Sequence, residues 1–145
     1  MPLLVVLTIC GAVANRGNPF FSQTRIGKAG VKFFIFKFRS MVDEPELGSV
    51  TSSNDRRITA YGRMLRKFKL DELPQLWNVL VGDMSFVGPR PDVSGYADLL
   101  TGAGRLILSV RPGITGPASL EYRNEELLLS RVADPKSYND MVIWP

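Results

Sequence analysis

The sequence predicts a small α+β fold, mostly helical, with one β-hairpin. Three observations predict it. Residues 31–41 alternate like a strand behind a turn, and apolar residues recur at spacings of three and four from Ile58 onward. Ten prolines and thirteen glycines keep every element short. A chain of 145 residues supplies one domain of ordinary size.

The elements follow in order. Leu3 to Ala14 is an uncharged run that would span ~18 Å as a helix, against roughly 30 Å for a bilayer core. It is too short to cross. It reads as a buried core segment, as a signal-peptide apolar region (though no basic residue precedes it), or as half of a re-entrant membrane segment, and Pro2 suits a helix start. Asn15 to Pro19 is a turn cluster; Phe20 to Thr24 reads as a strand and Arg25 to Gly30 as a turn. In the next strand Phe34, Phe36 and Phe38 share one face, and Ile35, Lys37 and Arg39 the other. Two cations on one side can meet one anion, although an ordinary half-solvated strand has the same pattern.

Residues 42–54 read as a polar loop. Ile58, Tyr61, Leu65 and Phe68 then form a helical apolar stripe, with Arg56, Arg57, Arg63, Arg66, Lys67 and Lys69 over the remaining surface. Asp71 suits an N-cap before a helix that buries Leu73, Leu76, Trp77 and Leu80 and ends at Gly82. Two adjacent carboxylates, Asp71 and Glu72, thus meet free amides and Arg66. That setting favours their ionised forms, which suit a nucleophile or a magnesium ligand; plain capping is the alternative.

Residues 82–91 read as a loop with a rigid end, since prolines on both sides of Arg90 restrict its backbone. Arg111-Pro112-Gly113 repeats the device. Val93 to Leu108 is expected to be helical with a break near Gly102 and Gly104, and Leu120 to Val132 helical around Leu127, Leu128 and Leu129.

Composition restricts the chemistry. There is no histidine and a single cysteine, Cys10, which removes imidazole-dependent triads, histidine metal sites, intramolecular disulfides and cysteine cages. Carboxylates, Lys, Arg, Tyr, hydroxyls or an oxygen-held hard cation remain. A net charge of +4 and a pI near 9.5 point to an anionic partner.

KFRSM at 37–41, LDELPQLWNVLVGDMSFVGPRP at 70–91 and RPGITG at 111–116 closely resemble the bacterial sugar transferases, the small monotopic polyprenyl-phosphate phosphoglycosyl transferases. FFSQTRIGKAG at 20–30 matches the segment before their hairpin, and PASLEYRNEE after RPGITG resembles one subgroup. The resemblance runs from Asn15 to the C-terminus.

What it implies is concrete. Family members transfer a sugar-1-phosphate from a UDP-sugar to polyprenyl phosphate with Mg²⁺ and release UMP, as the first membrane step of polysaccharide or glycoprotein glycan assembly. By the resemblance, Asp71 is the nucleophile that forms a covalent phosphosugar intermediate and a Mg²⁺ contact, and Glu72 assists it. Arg66 and Lys37 are phosphate-binding; Pro89, Arg90 and Pro91 lie near the nucleotide; Arg39 and Arg111 are further candidates. The implied fold is α+β, with a re-entrant or interfacial membrane helix, a small hairpin, and amphipathic interface helices around a catalytic site. Residues 1–14 correspond to the outgoing half of the membrane helix and 15–145 to the catalytic domain, so the chain reads as truncated at both ends. The expected place is the cytoplasmic face of the bacterial inner membrane, among its lipids. Two other readings are a catalytically dead remnant and a basic nucleic-acid-binding domain. The basic cluster carries no recognised nucleic-acid-reading module, so no nucleic-acid partner is expected.

Overall fold

A computed structural model of the chain describes residues 2–42, 51, 55–122, 124–138 and 141–142. Most of the predicted polar loop lies outside the described residues. The architecture is mixed α+β, with more helix than strand. Helix α1 (Pro2–Ala14) starts at the proline, as expected, and leads into hairpin strands β1 (Phe20–Ile26) and β2 (Lys32–Phe38). The strands pair antiparallel from Phe20↔Phe38 to Ile26↔Lys32. The turn is shorter than predicted: Gly27 donates to the Val31 carbonyl at 2.8 Å, while Ala29 and Gly30 take left-handed φ of 58° and 79°.

The aromatic face of β2 is divided rather than buried. Phe33 and Ile35 point inward, whereas Phe34 is 61% exposed. Alternation fixes which residues share a face but not which face meets the core. Phe38 breaks the division at the strand's end, where it stacks on Phe20 with centroids 5.4 Å apart and is buried with Leu7 and Leu65.

That cluster, with Leu4, Tyr61, Leu70 and Leu73 against it, joins α1 to helix α2 (Ala60–Lys67). The Thr59 side chain caps α2 by accepting from the Gly62 amide at 2.9 Å. Gly62 has no alternative there, because a Cβ would overlap the Ser40 carbonyl. The predicted stripe is shorter than expected. Ile58 precedes the helix in a bridge to Met41, and Phe68 ends it, exposed. Arg57 also leaves the basic surface, buried in an ion pair with Asp55 at 2.6 Å.

Lys69 takes a left-handed φ of 54°, which separates α2 from a 3-10 turn at Leu70–Glu72. Asp71 therefore lies within that turn and caps nothing. Helix α3 (Gln75–Val81) follows and ends at Gly82 with φ of 89°, as predicted. Its burial is opposite to the expected stripe. Gln75 and Asn78 face inward, while Leu76, Trp77 and Leu80 are exposed. The reason lies on β2. Asn78 accepts from the Phe36 amide at 3.2 Å and donates to the Phe34 carbonyl at 2.7 Å, satisfying an open strand edge that no leucine can.

Strands β3 (Ser85–Val87) and β4 (Gly113–Thr115) pair in parallel, Ser85↔Gly113 and Val87↔Thr115. Both lie where loops and turns were expected. Gly88 and Gly113 permit the approach, since a Cβ on Gly113 would overlap the Gly88 amide nitrogen. Val93 to Leu108 forms two 3-10 segments, Ala97–Leu99 and Gly102–Ser109, rather than an α-helix; the break comes before Gly102. The predicted C-terminal helix is replaced by α4 (Pro117–Glu121) and α5 (Glu125–Leu129), with α6 (Pro135–Tyr138) beyond. Of Leu127, Leu128 and Leu129 only Leu129 is fully buried. No helix among the described residues is long and apolar enough to cross a membrane.

Candidate active site

The hairpin, the 3-10 turn at Leu70–Glu72 and the Pro-Arg-Pro turn after β3 border a shallow recess, open to solvent. Arg25, Lys37, Glu72, Gln75, Arg90 and Pro91 line it over Ile35 and Ile114. Each arrives for a local reason. Lys37 projects from the inward face of β2, after Phe33 and Ile35. Glu72 is delivered by the left-handed kink at Lys69. Arg25 comes from β1 and donates to the Pro91 carbonyl at 3.3 Å and to Gln23 Oε1 at 2.8 Å. It thereby ties the hairpin to the turn that carries Arg90.

Lys37 Nζ meets Glu72 Oε1 at 2.9 Å, with both side chains mostly buried. Burial alone would raise the Glu72 pKa. Lys37's charge and hydrogen bond, with Arg90 and Lys69, outweigh that and hold it below the usual carboxylate range. Burial and then Arg90 push Lys37 below an ordinary lysine, although Glu72 and Asp71 pull it back up. Burial also pushes Arg25 down, helped by Arg90 and opposed by Asp92 and Glu72.

Asp71 behaves unlike its neighbour. It is buried, and Oδ1 has no hydrogen-bond partner among the described residues. Burial and Glu72 raise its pKa, while Lys37, Arg66 and Lys69 act against the rise. This corrects the expectation that amides at a helix start would favour its ionised form. No amide of a described residue donates to Oδ1.

The other candidates separate. Arg66 is close enough to act on Asp71's charge. Arg39 continues past β2 but does not line the recess, so the expected convergence of Lys37 and Arg39 is not found there. Arg111 lies beside Gly82 at the C-terminal end of α3, its Nη2 3.8 Å from where a Cβ would sit. A cation is favourable at that helix end. Pro89 lines a neighbouring shallow recess, which shares Arg90 and is walled by Ile26, Ala97, Leu108 and Pro112. Gln75 and Arg25 belong to the main recess and were not singled out from the sequence. A polar residue one turn after Asp71 was the available signal for Gln75. Arg25 had none beyond its charge.

Three cations against one carboxylate line the recess, a balance that favours an anion. The sequence model of the family described as Bacterial sugar transferase matches residues 1–141. The chain belongs to this family.

Among relatives of this family member, the uncharacterized sugar transferase EpsL of Bacillus subtilis (strain 168) is 42% identical over 123 residues, covering 84% of this chain and 61% of EpsL. The exopolysaccharide production protein ExoY of Rhizobium meliloti (strain 1021) is 34% identical over 154 residues, covering 94% of this chain and 68% of that protein. The UDP-glucose:undecaprenyl-phosphate glucose-1-phosphate transferase of Xanthomonas campestris pv. campestris is 40% identical over 134 residues, 86% of this chain but 27% of that protein. The chain thus spans between about a quarter and two thirds of these relatives' lengths.

Proposed function

We propose that this sugar transferase moves a sugar-1-phosphate from a UDP-sugar to undecaprenyl or a similar polyprenyl phosphate, releasing UMP at the first membrane step of exopolysaccharide, capsule, O-antigen or glycoprotein glycan synthesis. The observation that carries the reading is a buried, under-partnered carboxylate, Asp71, next to a recess with an excess of cations. The names of the Xanthomonas protein and of ExoY support it.

In the mechanism we propose, the diphosphate enters the recess and meets Arg25, Lys37 and Arg90, and the nucleotide extends along Pro89, Arg90 and Pro91. An Asp71 carboxylate oxygen attacks the β-phosphorus. The new bond joins Asp71 to phosphorus, and the bond from the β-phosphorus to the bridging oxygen breaks, so UMP leaves with that oxygen. A polyprenyl phosphate oxygen then attacks the same phosphorus and frees the Asp71 carboxylate. Burial withholds solvation from the Asp71 charge, which makes the carboxylate more basic and a better nucleophile once ionised. Arg66 and Lys37 offset the charge that gathers on the phosphoryl oxygens, and Glu72 keeps Lys37 protonated.

The residues fit a magnesium ion, which is commonly held by one or two carboxylates together with substrate phosphates. Asp71, with its unpartnered Oδ1, would hold it. When bound, the ion supplies further charge neutralisation on the diphosphate.

We further propose that the chain works at the cytoplasmic face of the bacterial inner membrane, with α1 lying in the lipid interface. Leu3, Val5, Val6, Ile9 and Val13 of α1 are each more than half exposed. A helix too short to span can still lie in that interface.

Transfer is tested by UMP release from a panel of UDP-sugars with polyprenyl phosphate and Mg²⁺. Asp71→Asn is expected to lower the rate by roughly a thousandfold or more, since the nucleophile is gone. Activity retained in that variant would remove Asp71 from the mechanism.

A further inference from the structure

Gln75 is 2% exposed and lines the recess, yet its Nε2 has no hydrogen-bond partner among the described residues. Its neighbour one turn on shows the contrast. Asn78 is equally buried and uses both ends of its amide on the backbone of β2. A buried donor left unpaired destabilises a fold, and a methionine of similar volume would fill the same space without that penalty. The fold alone therefore gives no reason for an amide at this position.

The surroundings supply one. Arg25, Lys37 and Arg90 already crowd the recess with positive charge, and Arg90 depresses the pKa of both Arg25 and Lys37. Another cation would add repulsion. A neutral amide adds a directed N–H donor without adding charge.

We propose that Gln75 is a substrate-binding residue that donates from Nε2 to a phosphoryl oxygen held in the recess. This rests on reading the recess as the phosphate site. The oxygen can come from the nucleotide diphosphate or from the polyprenyl phosphate, since both present the same acceptor. The amide is then satisfied in the loaded protein and unsatisfied in the free one.

The test is thermal melting of the full chain in detergent, alone and titrated with UDP or with farnesyl phosphate. Without ligand, Gln75→Met is expected to melt at or above the wild-type temperature, because it removes an unpaired donor. With ligand, its affinity should fall by about tenfold, and that of the near-isosteric Gln75→Glu further, by charge repulsion. Weakening toward UDP alone assigns the bond to the nucleotide diphosphate. Weakening toward farnesyl phosphate alone assigns it to the lipid substrate. Either result supports the proposal. Wild-type affinity for both ligands in both variants overturns Gln75 while leaving the phosphate site intact. A ligand-free Gln75→Met that melts several degrees lower also overturns it, by giving the amide to the fold. Should the wild type itself respond to neither ligand, the phosphate site falls, and Gln75's role falls with it.

Discussion

Asp71 and Glu72 are adjacent carboxylates with opposite pKa shifts, and one lysine makes much of the difference. Glu72 titrates below its ordinary 4.5, so its ionisation stabilises the fold above pH 4.5, and that contribution is lost as pH falls through the folded value. Asp71 titrates above its ordinary 3.8. It is neutral in both states below 3.8, and stability is lost as pH rises from there through the folded value. Lys37→Met is expected to turn Glu72 into a second unpaired buried acid. At pH 7 it should destabilise by about 2 kcal/mol, a figure below the fully buried case because both side chains retain some exposure. Urea denaturation should show a smaller loss at pH 3 than at pH 7, since Glu72 gives up its charge as pH falls through its folded value, and recovery of most of the loss in Lys37→Met/Glu72→Gln. An equal loss at both pH values would assign Lys37 to packing instead. Because Lys37's own pKa is depressed, removing the pair together should leave stability little changed. The carboxylate pair was legible in the sequence. Its asymmetry was not, because the partner lysine lies 35 positions away, and nothing local reports that β2 turns Lys37 inward.

Helix and strand locations were easier to read than their orientations. The hairpin, α1, α2 and the end of α3 at Gly82 follow from alternation, Pro2, the spacing of Tyr61 and Leu65, and the glycine. Which side of α3 is buried depends on the open edge of β2, a tertiary requirement met by Asn78. Strands β3 and β4 had no pattern to find: three residues each, too short for an alternation, paired across 28 positions. They nevertheless bring Pro89 to Arg111–Pro112, with the Gly113 amide donating to the Pro89 carbonyl at 2.8 Å. Gly113→Ala is expected to destabilise by about 3 kcal/mol and to abolish UMP release, because its methyl would displace the turn that carries Arg90. Gly17→Ala, whose methyl would meet only the Asn15 carbonyl at 3.9 Å, should stay within about 0.5 kcal/mol of wild type. Chemical denaturation of the two variants checks the contrast, and equal losses would count against close approach as the cause.

Over the molecule as a whole, α1 and α3 each present several exposed apolar side chains, with Trp77 58% and Leu80 76% exposed. Such faces are unusual on a freely dissolved domain and match a lipid-facing one. The chain is expected to float with anionic liposomes. Val6→Glu/Ile9→Glu should weaken binding more than tenfold, because two side chains each worth about 1.5–3 kcal/mol of burial are replaced by charges. Its circular dichroism should be unchanged, since both positions already face outward. A variant that floats as well as wild type would remove α1 from the contact. From the sequence, the apolar run of α1 left three readings open. Its packing narrows the matter, since only Leu7 and Gly11 turn fully inward. Leu7 reaches Phe38 and Leu65, and Tyr61 donates to the Leu7 carbonyl at 2.7 Å. Phe38 and Leu65 adjoin Lys37 and Arg66 in sequence, while Leu70 and Leu73 flank Asp71 and Glu72. The helix and the backbone beside these four candidate side chains therefore rest on one apolar cluster, so a cavity opened at Leu7 loosens the seat of all four at once.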